Sequence, residues 1–188
     1  VVDNQATGYV ITSTATISIG TWYHVALVRN GPTTNNLILY INGTADTTLS
    51  YTNWQSGMST VTIGRRTDVS VDFNGYMSNM RWVRGTAVYT GTFTPSTTQL
   101  TAISNTQLLT FQSATIVDSS PNAFTLTQSG APTVSSGNYP VALTRTGSPG
   151  QGTFSPFSQN GWSNYFDGNA DNHTVAFSST LDMPNDFT

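Results

Sequence analysis

Apolar and polar residues alternate along most of this chain with the period of two that is typical of β-strands. The alternation runs through Gly8–Gly20, which predicts a half-buried strand pair, and through Phe73–Gly85. Thr21–Arg29 is apolar on both of its faces, which predicts a central strand of a layered sheet. No window of about ten or more residues has a helical period with caps. The pattern therefore predicts an all-β chain.

Turn signals separate the predicted strands. Leu37–Ile41 is followed by Asn42-Gly43, a pair that tolerates the positive φ angles of a type I′ hairpin turn. Further short strands are predicted at Ser59–Gly64 and Leu108–Phe111. Because short strands recur at roughly 8–12-residue spacing with turns between them, the fold class is predicted to be an antiparallel β-sandwich of the jelly-roll type.

Composition narrows the classes of partner. All six basic residues are Arg, all nine acidic residues are Asp, and the net charge is −3 with no basic run. This balance argues against nucleic acid as a partner. No apolar run approaches the ~18 residues of a membrane span, so no membrane insertion is expected. The chain has no Cys, which removes disulfide bonds as a source of stability.

The motifs carry a family likeness. "GTWYHVALVRNG" and "LILYINGT", followed by "VTIGRR" and "FNGYMSNMRWVRGTAVY", resemble the second half of a laminin-G-like domain, which has the concanavalin A-like lectin/glucanase jelly roll. The likeness covers roughly residues 8–93. It implies a β-sandwich but no particular ligand, because this fold hosts many functions.

A narrower likeness lies in Arg84–Ser113, which is similar to repeats in structural and tail proteins of bacteriophages. "LLTFQSATIVDSSPNAFTLTQSGAPTVS" and the closing "NYFDGNADNHTVAFSSTLDMPNDFT" resemble the opening third of the same kind of domain. The resemblance implies that residues 1–100 are the C-terminal portion of one jelly roll. Residues 101–188 are then the N-terminal portion of a following or permuted one, with a Gly/Pro/Ser-rich loop at 146–161. Because the chain stops where a strand should start, it is expected to be part of a longer protein.

Catalytic chemistry finds little support in the sequence. Retaining glycosidases need two carboxyl groups ~5–5.5 Å apart, and the glucanases of this fold carry Glu pairs, whereas this chain has no Glu. Asp68 and Asp72 are four residues apart, but they occur in a turn-like segment, and the same holds for Asp167 and Asp171. His24 alternates within an apolar strand, which favours a structural role. The chain is therefore predicted not to be an enzyme.

Calcium is the candidate cofactor. Asp167, Asn169 and Asp171 cluster in one loop and could supply the oxygen ligands that this hard cation prefers. The alternative is that these residues form a turn by bonding their own backbone.

Carbohydrate is the candidate ligand. Tyr51, Asn53 and Trp54 occur in a loop-like segment between strands, where binding residues tend to lie, and Trp162 occurs in a second such segment. The alternative is that these rings plug the ends of the sandwich or pack on a neighbouring domain. Trp22 and Trp82 occur in alternating strands and are predicted to be core residues.

Together these features favour a non-enzymatic structural or interaction module of a phage virion, in a tail, fibre or surface-display protein. Its expected partners are other copies of itself, other virion proteins and host surface glycans, and its expected location is the virion. A second interpretation stays open: an extracellular, secreted bacterial carbohydrate-binding module of an adhesin or a polysaccharide-active enzyme.

Overall fold

The computed structural model describes residues 2–4, 8–51, 60–66, 71–135, 163–167 and 172–176. Within these ranges every regular element is a β-strand and every strand pairing is antiparallel. The predicted all-β, antiparallel fold class is thus confirmed. None of the described residues belongs to a helix that could cross a membrane. The strands are β1 Val2–Asn4, β2 Gly8–Ile11, β3 Val25–Arg29, β4 Leu37–Ile41, β5 Thr44–Leu49, β6 Thr60–Ile63, β7 Arg65–Arg66, β8 Val71–Asp72, β9 Asn74–Met77, β10 Met80–Val83, β11 Thr106–Thr110, β12 Leu126–Ser129, β13 Thr133–Ser135, β14 Ser163–Asp167 and β15 Asn172–Ala176.

The first sheet has the order β3-β4-β5 and is built around the predicted hairpin turn. Asn42 and Gly43 have φ angles of 51° and 81°, as a type I′ turn requires at both central positions. Both faces of the sheet are covered by apolar residues. Ile11 packs with Leu37 and Leu39 on one face, and Phe93 packs against the cluster that contains Tyr40 on the other. The sheet is therefore covered on both of its faces.

The second part of the sandwich consists of the sheets β12-β15-β6 and β13-β14-β9 and the pair β10-β11. Its core is a cluster of four buried residues, which come from β6, β11, β14 and the position that follows β11. Partly buried hydrophobic residues, among them Met77 and Trp82, pack around this cluster, which confirms the prediction that Trp82 is a core residue. The four buried members are Ile63, Leu108, Phe111 and Phe166.

Strands from the two parts of the chain lie side by side in these sheets. β15 pairs with β6 through Thr174↔Thr62, and β14 pairs with β9 through Tyr165↔Tyr76. Strands β14 and β15 therefore belong to the same sheets as β9 and β6. The division at residue 100 stays a prediction, and the loop at 146–161 lies outside the described residues.

Two predicted strands differ from the structure. In Gly8–Gly20 only β2 is a strand, because the backbone N–H groups of Thr14 and Ala15 donate to the Asp46 carboxylate instead of to a neighbouring strand. Phe73–Gly85 divides into β9 and β10, since Asn79 has a φ of 55° and its N–H donates to the carbonyl of Phe111.

Within the described part of the chain the predicted strand Thr21–Arg29 is shorter, and its central position in a sheet stays a prediction. The strand starts only at Val25, and β3 has β4 as its one strand neighbour among these residues. The side of the strand that holds Ala26 and Val28 is nevertheless buried. The irregular segment 84–95 covers it, with Tyr89 and Phe93 packed on the cluster. A loop therefore provides the covering layer at this place.

Candidate functional site

The aromatic pair Trp22–Tyr76 joins two distant parts of the chain. Trp22 lies shortly before β3, which begins at Val25, and Tyr76 lies in β9. Their ring centroids are 6.4 Å apart with a 44° angle between the planes. Both side chains are half-buried, and Trp22 is in none of the three core clusters formed by the described residues. Trp22 was expected in the core, and the structure places it instead against another partly accessible ring.

Asp72 is held by an ion pair. The register of the β7–β8 hairpin places Asp72 opposite Arg65, and an Arg65 guanidinium nitrogen lies 3.3 Å from the Asp72 carboxylate. Both side chains are only partly exposed, at 20% for Arg65 and 11% for Asp72. The sequence analysis considered Asp68 and Asp72 as a possible pair of catalytic carboxyl groups. Asp68 lies outside the described residues. The carboxylate of Asp72 is therefore committed to a cation within its own hairpin.

Tyr51 lies at the edge of a core cluster. Its ring is half-buried and packs against the cluster of Ile11, Leu37 and Leu39. Its backbone is fixed by the buried Asn36, whose side-chain oxygen accepts from the Tyr51 N–H at 2.9 Å and whose amide donates to the Tyr51 carbonyl at 3.0 Å. Tyr51 thus contacts the core of its own sheet, and its role in carbohydrate binding stays a prediction.

The other sequence-based site residues lie largely outside the described part of the chain. This holds for Asn53, Trp54 and Trp162 among the carbohydrate candidates and for Asn169 and Asp171 among the calcium candidates. The Asp167 backbone ends β14 and pairs with Asn74 of β9. No group of three or more His, Cys, Asp or Glu side chains with the geometry of a metal site occurs in the part that the structure describes.

His24 occupies a ring-lined site beneath the segment 84–95. Its imidazole packs edge-on against Tyr89 at 6.0 Å and Phe93 at 5.3 Å. Its backbone exchanges two hydrogen bonds with Asn42 at the hairpin turn. Burial lowers the His24 pKa below its usual value, and the positive charge of Arg81 lowers it further. These contacts agree with a structural role for His24.

His173 is completely buried and packs between two rings of the sandwich core. Its imidazole centroid is 5.0 Å from that of Phe111 and 5.3 Å from that of Phe166. β15 places it directly opposite Ile63 of β6 and Gln128 of β12. His173 thus contributes to packing between strands, whereas His24 packs against the irregular segment 84–95.

Asp118 organises the turn that follows β11. Its buried carboxylate accepts hydrogen bonds from the backbone N–H groups of Leu109, Ser120 and Phe124 and from the Ser120 hydroxyl. All of these donors lie within nine residues of Asp118 in the sequence. A carboxylate that is surrounded by donors from its own chain acts as a structural centre.

Asp46 performs the same task for the loop between β2 and β3. It accepts from the Thr14 hydroxyl at 2.7 Å, the Thr14 N–H at 2.8 Å and the Ala15 N–H at 2.9 Å. The Thr14 hydroxyl is the largest cause that lowers the pKa of this carboxyl from 3.8 to about 2. The charged form of Asp46 is therefore the form that fixes the loop.

The fold and these sites define an antiparallel β-sandwich in which the characterised carboxylates stabilise loops and turns. Residues 1–88 match the model of the concanavalin A-like lectin/glucanases superfamily. This match confirms the resemblance found in the sequence, which covers roughly residues 8–93. The chain matches no curated protein and no solved structure.

Sequence reasoning missed the Trp22–Tyr76 pair. The strands β3 to β8 lie between the two residues in the sequence, and their contact depends on how β9 lies relative to the start of β3. The sequence placed Trp22 within the strand Thr21–Arg29, whereas β3 starts only at Val25, so no local signal indicated this contact.

Proposed function

We propose that this chain is a non-enzymatic interaction module that serves in the assembly of a larger particle and contacts glycans at its surface. One observation carries the non-enzymatic part of the proposal. The three aspartates whose side chains the structure describes, Asp46, Asp72 and Asp118, each bond groups of their own chain. A general acid or nucleophile has to present its carboxyl group to a substrate.

The superfamily of residues 1–88 supports the glycan part of the proposal, because both lectins and glucanases recognise carbohydrates. The likeness of Arg84–Ser113 to phage repeats supports a place in a virion, in a tail, fibre or display protein. In this role the partners are other copies of the chain and other virion proteins. Calcium remains a proposed cofactor through the segment Asp167–Asp171.

Two measurements on the intact chain test this function. Analytical ultracentrifugation across a concentration series is expected to show self-association. Incubation with a panel of neutral and acidic polysaccharides is expected to release no reducing sugar. Hydrolysis that Asp72→Asn abolishes, with the fold intact by circular dichroism, would refute the non-enzymatic proposal.

A secreted carbohydrate-binding module is the second candidate, and the half-buried Trp22–Tyr76 pair favours it. The two proposed functions predict different behaviour of the isolated chain: self-association for the assembly module, and glycan binding by a monomer for the secreted module. A monomer that binds glycans tightly, with affinity lost in Tyr51→Ala or Trp54→Ala, supports the secreted module. A glycan array run with calcium and with a chelator tests the proposed cofactor at the same time.

A further inference from the structure

Three Asn-Gly pairs lie in the described part of the chain, and they begin at Asn30, Asn42 and Asn74. In such a pair the backbone nitrogen of the glycine can attack the Asn side-chain carbonyl carbon, because glycine has no Cβ that would block the approach. The attack needs an Asn side chain that can turn toward its own backbone. It also needs a local backbone that can rotate. A fourth pair, Asn160-Gly161, lies outside the described residues.

Asn42 is held by hydrogen bonds of both its side chain and its backbone. Its Oδ1 accepts from the His24 N–H at 2.9 Å, and its own N–H donates to the His24 carbonyl at 2.8 Å. The following Gly43 packs against the backbone of Phe93 and accepts a hydrogen bond from the Phe93 N–H. The reaction at Asn42 therefore has to wait until the hairpin turn opens.

Asn74 is held by the pairing of its strand. It lies in β9 and is paired with Asp167 of β14, and the following Gly75 is paired with Phe166. An extended strand keeps its backbone in one conformation, and the Phe73 ring lies 3.0 Å from the position of a Cβ on Gly75. Ring closure at Asn74 therefore needs local unpairing of β9.

Asn30 lies in the irregular connection between β3 and β4, and its side chain is exposed. Within the described ranges this side chain forms no hydrogen bond to another residue. No atom of the described residues lies within 4 Å of the position of a Cβ on Gly31, so a succinimide ring has room to form. Among the three pairs, Asn30 is the one whose side chain can react while the fold stays closed.

We propose that Asn30 is a modification site of the folded chain, where the side chain deamidates spontaneously. The Gly31 nitrogen loses its proton to solvent hydroxide and bonds to Cγ of Asn30. The bond from Cγ to Nδ2 breaks, and ammonia leaves with a proton from water. Water then opens the succinimide at either carbonyl group, which gives isoaspartate or aspartate at position 30. The product lowers the net charge of −3 by one unit.

Isoaspartate changes the connection between β3 and β4 more than aspartate does, because the buried Asn36 holds both sides of the modified link. The Asn36 carbonyl accepts from the Asn30 N–H at 2.7 Å, and the Asn36 amide donates to the Gly31 carbonyl at 2.9 Å. Isoaspartate adds a methylene group to the backbone between these two contacts, so both cannot keep their geometry. The Asn36 side chain also binds the Tyr51 backbone, so the change extends to the segment after β5.

The test is incubation of the full chain at pH 8 and 37 °C, folded and in urea, followed by peptide mapping with mass spectrometry. In the folded chain the mass gain of one dalton is expected at least roughly tenfold faster at Asn30 than at Asn42 or Asn74. In urea the three rates should lie within about threefold of one another, because each Asn precedes a glycine in an unfolded chain. A protein isoaspartyl methyltransferase should label the Asn30 peptide of the folded chain.

Two glycine variants separate the chemistry at Asn30 from general stability. Gly31→Ala is expected to slow the reaction at least roughly tenfold, since its Cβ hinders the attack. Gly85→Ala is the matched control, because Gly85 has a φ of 79°, close to the 72° of Gly31, and also has open space around its ideal Cβ. It carries the same backbone cost and should leave the rate at Asn30 within about twofold of wild type.

Three results would overturn the inference. If Asn42 or Asn74 converts at least as fast as Asn30 in the folded chain, the structural ranking is wrong. If Asn30 stays unmodified for as long as the unfolded chain needs for full conversion, the folded connection protects it. The isoaspartate form, separated by ion exchange, should melt at a lower temperature than the Asn30→Asp variant. Equal melting temperatures would refute the role assigned to Asn36.

Discussion

The backbone carbonyl of Phe93 lies where a side chain on Gly43 would have to be. An ideal Cβ on Gly43 would overlap this oxygen, and the Phe93 N–H donates to the Gly43 carbonyl at 2.9 Å. The β4–β5 turn and the segment 84–95 are thus locked together at one point. Phe93 also stacks on Tyr89, with the ring centroids 3.6 Å apart.

Gly43→Ala is expected to lower the free energy of unfolding by about 3 kcal/mol. The left-handed backbone costs an alanine about 1–2 kcal/mol, and the overlap with Phe93 adds a further ~1–3 kcal/mol. Gly20→Ala is the matched control, because Gly20 has a similar φ of 76° but nothing near its ideal Cβ. It should cost only about 1 kcal/mol in urea unfolding. Equal losses in the two variants would contradict the locking contact.

Asp118→Asn should destabilise the protein by about 3 kcal/mol. The buried carboxylate accepts from Leu109, Ser120 and Phe124, and an amide group in its place would turn a donor toward at least one of these donors. Ser119→Ala changes an exposed neighbour and should stay within about 0.5 kcal/mol of wild type. Urea midpoints of the two variants measure the difference. A mild effect of Asp118→Asn would mean that water replaces the lost acceptor.

The lowered pKa of Asp46 predicts that the folded protein loses stability in strong acid. Its pKa is about 2 in the folded chain, held down first by the Thr14 hydroxyl, and about 3.9 in an unfolded chain. The lowered pKa stabilises the fold above pH ~4, and this contribution disappears as the pH falls from about 4 to about 2. Asp46→Asn should therefore flatten the stability curve in this window. Thermal unfolding at pH 5, 3 and 2 compares it with wild type, and parallel curves would refute the prediction.

The lowered pKa of His24 predicts a second, milder dependence of the folding stability on pH. Burial and then Arg81 lower its pKa in the fold, so the unfolded chain binds more protons below pH ~6.5. The fold should lose stability as the pH falls below ~6.5, and the contribution is complete above it. His24→Gln should lose less stability than wild type between pH 7.5 and 5.5. His173 is present in both proteins and its contribution cancels in the comparison. An identical pH dependence of the two melting temperatures would count against this assignment.

Local chemistry made part of the fold predictable. Asn42-Gly43 forms the predicted turn because both residues accept positive φ without help from the rest of the chain. Leu37–Ile41 is a strand as predicted, since an apolar run between two turn signals has few alternatives. The all-β class follows from the same short-range preferences.

Long-range hydrogen bonds explain most of the differences between the predicted and the observed strands. The strand pattern of Gly8–Gly20 is interrupted because Asp46 is 32 residues away from Thr14 in the sequence and no local signal reveals it. Phe73–Gly85 is broken at Asn79, whose side chain accepts from the Leu100 N–H. The Trp22–Tyr76 pair depends in the same way on packing between distant strands. Tertiary contacts of this kind override alternation.

The pairing of β6 with β15 has a consequence for synthesis on the ribosome. Thr60 faces Ala176 and Ile63 faces His173, so the partner of β6 is made much later than β6 itself. With chain growth of about 5–20 residues per second, this delay is on the order of ten seconds. The hairpins β3-β4-β5 can close early, whereas Ile63 stays exposed to solvent and to neighbouring nascent chains. Slow codons before residue 163 would lengthen this exposure, and faster translation of that stretch would favour correct pairing.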